Sequence, residues 1–115
     1  MTYAVQRMKE EIRRAIAYAA ATRINGSARS AIYSYARGQH SHMTPNYDYE
    51  SGAHISRTGS GLYHYGTNSH ISFSVSGKKF SGYDYDSGHH YTGQVNGSSV
   101  QLYDYGEGQY FTYSA

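Results

Sequence analysis

The sequence contains no cysteine, which excludes disulfides, thiol nucleophiles and thiolate metal sites together. Proline occurs once, at Pro45, where Thr44-Pro45-Asn46 should break a strand ladder because proline has no amide hydrogen to donate. No stretch approaches the roughly 20 apolar residues of a membrane span. The chain runs from Met1 directly into a charged amphipathic segment, without the apolar run of a signal peptide, so a cytoplasmic protein with no membrane partner is the expectation. Also missing are a glycine-rich phosphate loop before a helix and a Gly-x-Ser-x-Gly elbow. Serine and histidine are too many for one nucleophile and base pair to stand out, so a non-enzyme without a cofactor is expected.

Aliphatic residues are sparse, whereas there are 15 tyrosines and 13 glycines, and such a composition sets a disordered chain against a β-rich fold. Regular alternation and well-placed turns favour the fold. Tyrosine is amphipathic and suits the half-wet face of a sheet. At 115 residues the chain has room for one domain with one modest core.

The strongest pattern is a repeat. Tyr83-Asp84-Tyr85-Asp86-Ser87-Gly88 is nearly matched by Tyr47-Asp48-Tyr49-Glu50-Ser51-Gly52, and shorter echoes stand at Tyr33-Ser34-Tyr35, Tyr63-His64-Tyr65-Gly66 and Tyr103-Asp104-Tyr105-Gly106. Two aromatics at i and i+2 followed by glycine are the signature of a short strand feeding a turn. At a larger scale, 47–66 and 83–106 read as a duplicated unit within an antiparallel meander over 27–115. The repeat is similar in style to small bacterial or phage accessory proteins, a likeness that transfers no function.

Ahead of the meander, Val5, Met8, Ile12, Ile16 and Ala19 recur with helical period, predicting an amphipathic helix within 1–26 that Thr2 caps and Asn25-Gly26 ends. Glu10 and Arg14 are then an i, i+4 pair on its wet face. In the meander, Ile71, Phe73 and Val75 alternate with serines, and Leu62 has opposite parity to Tyr63 and Tyr65, so aliphatics and paired tyrosines should lie on opposite faces. A hairpin from His89 to Tyr105 turning at Asn96-Gly97 should pair Val95 with Ser98, Gly93 with Val100 and Tyr91 with Leu102. The expected fold is α+β: a helix across one face of an antiparallel sheet of about seven to nine short strands, an open twisted sheet or partial barrel. One helix about 10 Å across covers only two or three strands, so either the sheet curls into a barrel or a second copy covers the rest, and exposed edges with the charge asymmetry favour the second copy, most simply in a homodimer.

Charge divides along the chain. Residues 1–43 hold seven basic against two acidic residues, and 44–115 hold three basic against six acidic. Such a split suits either an anionic partner or docking of the basic part on an acidic one. Histidines at His40-Ser41-His42 and His89-His90 are metal-ligand candidates, although two imidazoles do not specify a site. Asp84 to Gly88 lacks the further acids of a calcium loop. The main candidate site is a tyrosine face built from Tyr33, Tyr35, Tyr47, Tyr49, Tyr63, Tyr65, Tyr83, Tyr85, Tyr103 and Tyr105, which implies a module that binds a protein partner or another copy of itself. The alternative is single-stranded nucleic acid, with Arg7, Arg13, Arg14, Arg29 and Arg37 on phosphates and tyrosines on bases. Acids interleaved in three of the five tyrosine pairs weigh against it.

Overall fold

The computed structural model describes residues 7–115 and contains one helix and ten strands. Helix α1 (Glu10–Asn25) starts after an extended Lys9 that makes no side-chain cap, with Glu10 and Glu11 in the first turn where the helix dipole favours negative charge. It ends as the sequence predicts: Gly26 is left-handed at φ 76° and its N–H bonds the Thr22 carbonyl at 2.9 Å. The helix therefore begins at Glu10 rather than near Thr2. The predicted Thr2 cap and the Val5 position lie outside the described residues.

The strands are β1 (Ala31–Ser34), β2 (Gln39–Thr44), β3 (Tyr47–Asp48), β4 (Ala53–Arg57), β5 (Gly61–His64), β6 (Ser69–Ser76), β7 (Lys79–Asp84), β8 (His89–Asn96), β9 (Ser99–Asp104) and β10 (Gln109–Ser114). Each pairs antiparallel with its sequence neighbours, and β10 returns to β1, where Tyr33 faces Ser114 and Ser34 faces Tyr113. The result is a closed up-and-down barrel of ten strands, not an open sheet or partial barrel of seven to nine. A two-residue β3 is too short to show any period, which is one reason the strand number exceeds the expectation.

Closure also changes where the helix sits. Ile12, Ile16 and Ala20 are buried, but so are Arg14, Ala17, Tyr18 and Ala21, which project in other directions around the axis. A helix buried on every side is enclosed, and α1 touches β1, β6, β8 and β9. It fills the barrel rather than lying across one face of a sheet. Its alanines let the strands approach closely, and Ile32, Met43, Ile71, Phe73, Val95, Val100 and Leu102 complete the core around it. The uncovered sheet that called for a second copy is absent, since the barrel wraps its own helix.

The alternation of faces is as the sequence predicts: Leu62, Ile71, Phe73, Val100 and Leu102 point inward while the paired tyrosines point out. In the β8–β9 hairpin the pairing is displaced by two residues. Val95 faces Val100, Gly93 faces Leu102 and Tyr91 faces Asp104, because the turn is centred on Gly97-Ser98 with Gly97 at φ 59°. Glycine as the first central residue, with no positive φ at Ser98, belongs to a type II′ turn, whereas Asn96-Gly97 as the central pair would have made a type I′ turn. A slip of two preserves every side chain's face, so the core is unaffected. Gly82 is required for a different reason: a Cβ there would stand 1.8 Å from the Ser72 carbonyl oxygen, on ground that the Tyr91 hydroxyl crosses to donate to that oxygen at 2.7 Å.

Enclosure of the helix is testable at a position outside the predicted stripe. Ala17→Leu should cost roughly 1–3 kcal/mol in urea unfolding through overpacking. A helix lying on one face would leave Ala17 toward solvent and the variant as stable as the parent.

Candidate interaction surface

The barrel consists of five hairpins, and at the same end each turns through the same six-residue unit: Tyr33–Gly38, Tyr47–Gly52, Tyr63–Asn68, Tyr83–Gly88 and Tyr103–Gly108. The duplication seen in the sequence is thus a coarse view of a fivefold repeat. The sixth residue is left-handed in every unit, with φ from 51° at Asn68 to 76° at Gly88, which accounts for glycine in four of them and asparagine in the other.

The second residue of each unit, Ser34, Asp48, His64, Asp84 or Asp104, points inward and is buried. There it accepts backbone N–H groups of its own turn. Asp48 takes those of Glu50 and Ser51 (3.0 and 3.4 Å), Asp84 those of Asp86 and Ser87 (3.1 and 3.3 Å), and Asp104 those of Gly106 and Glu107 (2.9 and 3.3 Å). Ser34 Oγ accepts from Arg37 at 3.3 Å, and His64 Nδ1 accepts from Thr67 at 3.3 Å. These are side-chain turns of the Asx kind, in which a short polar group stands in for a backbone acceptor.

The first and third residues point outward as tyrosine pairs. Within each unit their rings meet edge to face at 4.8–4.9 Å, and the third ring (Tyr35, Tyr49, Tyr65, Tyr85 or Tyr105) is 52–63% exposed. The first ring is half-buried and lies opposite residue eight counted from the start of its unit: His40, His54, His70, His90 or Tyr110. Ring contacts at 4.7–4.8 Å join Tyr33 to His40, Tyr47 to His54, Tyr83 to His90 and Tyr103 to Tyr110. All ten predicted binding-face tyrosines therefore belong to one outward belt, and Tyr110, 66% exposed, extends it. The belt's histidines went unrecognised in the sequence, although their spacing of seven from the first tyrosine is visible there.

That geometry gives the candidate metal ligands other surroundings. His40 meets Tyr33 at a tilt and His90 meets Tyr83 edge to face, His42 is exposed on β2, and His89 is half-buried beside Gly106, on the opposite side of β8 from His90. Among the described residues no three His, Asp or Glu side chains converge as a metal site requires.

The predicted basic face is largely engaged within the fold. Arg14 is buried, donating to Asp48 through Nε at 3.1 Å and meeting Glu50 at 3.1 Å. Arg13 reaches Asp104 and Glu10, both at 3.2 Å, and lies 3.8 Å over the Phe111 ring. Arg37 bonds Glu50, and Arg7 stands 3.5 Å from Glu107. Arg29 lies apart, just before β1 at the other end of the barrel. Glu10 and Arg14, the expected wet-face pair, instead separate: Glu10 pairs with Arg13 while Arg14 turns into the interior.

Two inward groups have no opposite charge bonded to them. Asp84 relies on Ser87 Oγ at 2.7 Å and the turn's N–H groups, and burial pushes its carboxyl above the ordinary value. His64 Nε2 is buried without a hydrogen-bond partner, and burial depresses the imidazole below its ordinary 6.5.

No family model, curated protein or solved structure matches this chain. Among the described residues no helix is long and apolar enough to cross a membrane.

Two outcomes follow from the inner polar end. Arg14→Met should cost roughly 3–5 kcal/mol by leaving Asp48 buried and uncompensated, and adding Asp48→Asn, which keeps a turn-capping oxygen, should recover much of that loss in chemical denaturation. For His64 the depressed folded pKa means that its contribution is present above 6.5 and is lost as pH falls through that value toward the folded pKa. His64→Asn should flatten the fall in urea midpoint between about pH 7.5 and 5.5; an unchanged slope would place the pH dependence elsewhere. Asp84 acts in the opposite sense, its contribution being complete below 3.8 and lost as pH rises through its raised folded pKa.

Proposed function

We propose that this chain is a non-enzymatic interaction module that engages a protein partner through its tyrosine belt. The observation that carries the reading is the fivefold recurrence of an exposed ring braced by a half-buried one. A braced tyrosine offers large amphipathic contact area with little rotamer entropy left to lose, the property that makes tyrosine frequent among interface hot spots. None of these rings is needed to close the core, which the inward residues fill.

Single-stranded nucleic acid remains the alternative because exposed rings also stack bases. The inward orientation of Asp48, Asp84 and Asp104 softens the objection drawn from their sequence positions. The cations nearest the belt are nevertheless held by carboxylates, as Arg37 is by Glu50 and Arg7 by Glu107, so little free positive charge borders the rings.

The combined variant Tyr49→Ser, Tyr85→Ser and Tyr105→Ser separates the readings. In crosslinking from cells that make the protein, the parent should capture a discrete protein, and the purified pair should lose about 30-fold or more in affinity with the variant, the equivalent of about 2 kcal/mol for a single hot-spot ring among the three. Affinity should change little with salt. Retention of the partner by a folded variant, or a single-stranded oligonucleotide ligand whose affinity falls steeply with salt, would overturn the proposal.

A further inference from the structure

The barrel is electrically polarised end to end. All eight carboxylate side chains lie at the end of the tyrosine units: six within those units, and Glu10 and Glu11 in the first turn of α1. The opposite end, where α1 finishes and Asn25 donates to the Gly97 carbonyl at 2.8 Å, carries Arg23, Arg29, Arg57, Lys78 and Lys79. The arginine and lysine ion pairs of the described residues all involve Arg7, Lys9, Arg13, Arg14 or Arg37, so Arg23, Arg29, Arg57, Lys78 and Lys79 have no carboxylate within 4.0 Å.

At this end the wall is low. Between β2 and β4 stands only the two-residue β3, and the loop at Pro45 borders a cleft against α1. A cleft of about 430 Å³ enters there, floored by Ala15, Ala19, Ile55 and Leu62, with Arg23 and Arg57 at its margin. That volume falls within the range of small-molecule sites, and the lining sets an apolar floor beside polar side chains that include Tyr18, Thr22, Thr44 and Asn46. Arg23 is held over the Phe73 ring at 4.9 Å, and the Arg57 charge adds to burial in lowering its pKa. Two arginines close enough to repel one another stand at the margin of one cleft without a carboxylate beside them, an arrangement that an anion would relieve. The C-terminal dipole of α1 opposes an anion at this place, and Arg23 in the last turn offsets it.

We infer that this cleft binds a small organic carboxylate with an apolar body, its carboxylate taken by Arg23 and Arg57 and its body laid on Ala15, Ala19, Ile55 and Leu62. The guanidinium fork matches a carboxylate in two parallel hydrogen bonds, and the floor offers apolar contact but no charged group. This site is separate from the tyrosine belt, and a small ligand here is compatible with a protein partner there.

Titration calorimetry of the purified protein with octanoate near pH 7, paired with its uncharged counterpart octanamide and with inorganic phosphate, tests the inference. Octanoate should bind and raise the melting temperature, whereas octanamide and phosphate each bind at least about tenfold more weakly, the size expected of one charge-assisted hydrogen bond. Arg57→Gln, at an exposed position, should weaken octanoate about tenfold with folding intact. Ala19→Leu should block it by filling the floor, and Lys78→Gln with Lys79→Gln should leave it unchanged. Equal binding of octanamide, phosphate as tight as octanoate, or full affinity in Arg57→Gln would overturn the assignment. Absence of octanoate binding to the parent protein would overturn it as well.

Discussion

Each hairpin of this barrel is closed by a polar side chain that turns inward and takes up the N–H groups of its own turn. Buried amides without acceptors cost on the order of 1–3 kcal/mol each, so a turn folded against the interior needs such a group. Placing the acceptor between two tyrosines sets the face of the whole strand: once the polar residue is inside, both rings are outside and the neighbouring aliphatics are inside again. The left-handed sixth residue then reverses the chain in the same way five times. Strand alternation, hairpin shape and the aromatic belt all depend on that single inward group.

The same choice brings charge into the barrel, and the helix answers it. Three of the five inward groups are aspartates; Arg13 and Arg14 meet two of them and Asp84 is left with hydrogen bonds alone. The basic character of the N-terminal segment is therefore spent largely on the fold. Because these ion pairs gather at the N-terminal end of α1, the remaining arginines at its C-terminal end have no carboxylates to meet, and the polarity of the barrel follows from the orientation of its helix.

The belt and the core are decoupled. Outward rings pack on one another and on cross-strand histidines, while inward side chains close on α1. A surface built on a rigid, closed sheet with no free strand edge presents its rings in fixed positions, and substitutions there should reach the core only weakly.

What could be read from the sequence is what local stereochemistry decides. Alternation assigned Leu62, Ile71, Phe73, Val100 and Leu102 to one face and the tyrosines to the other, and Gly26 marked the helix end, because a period of two and a left-handed residue are properties of a few adjacent positions. The histidine spacing was equally local and simply unread. Strand number, closure and the enclosure of α1 were decided only in three dimensions, since they depend on how far ten twisted strands curve before β10 meets β1. The roles of Arg13 and Arg14 belong there too. On an isolated helix both are solvated cations, and only a barrel that brings Asp104 and Asp48 from distant positions against the helix turns them into interior partners.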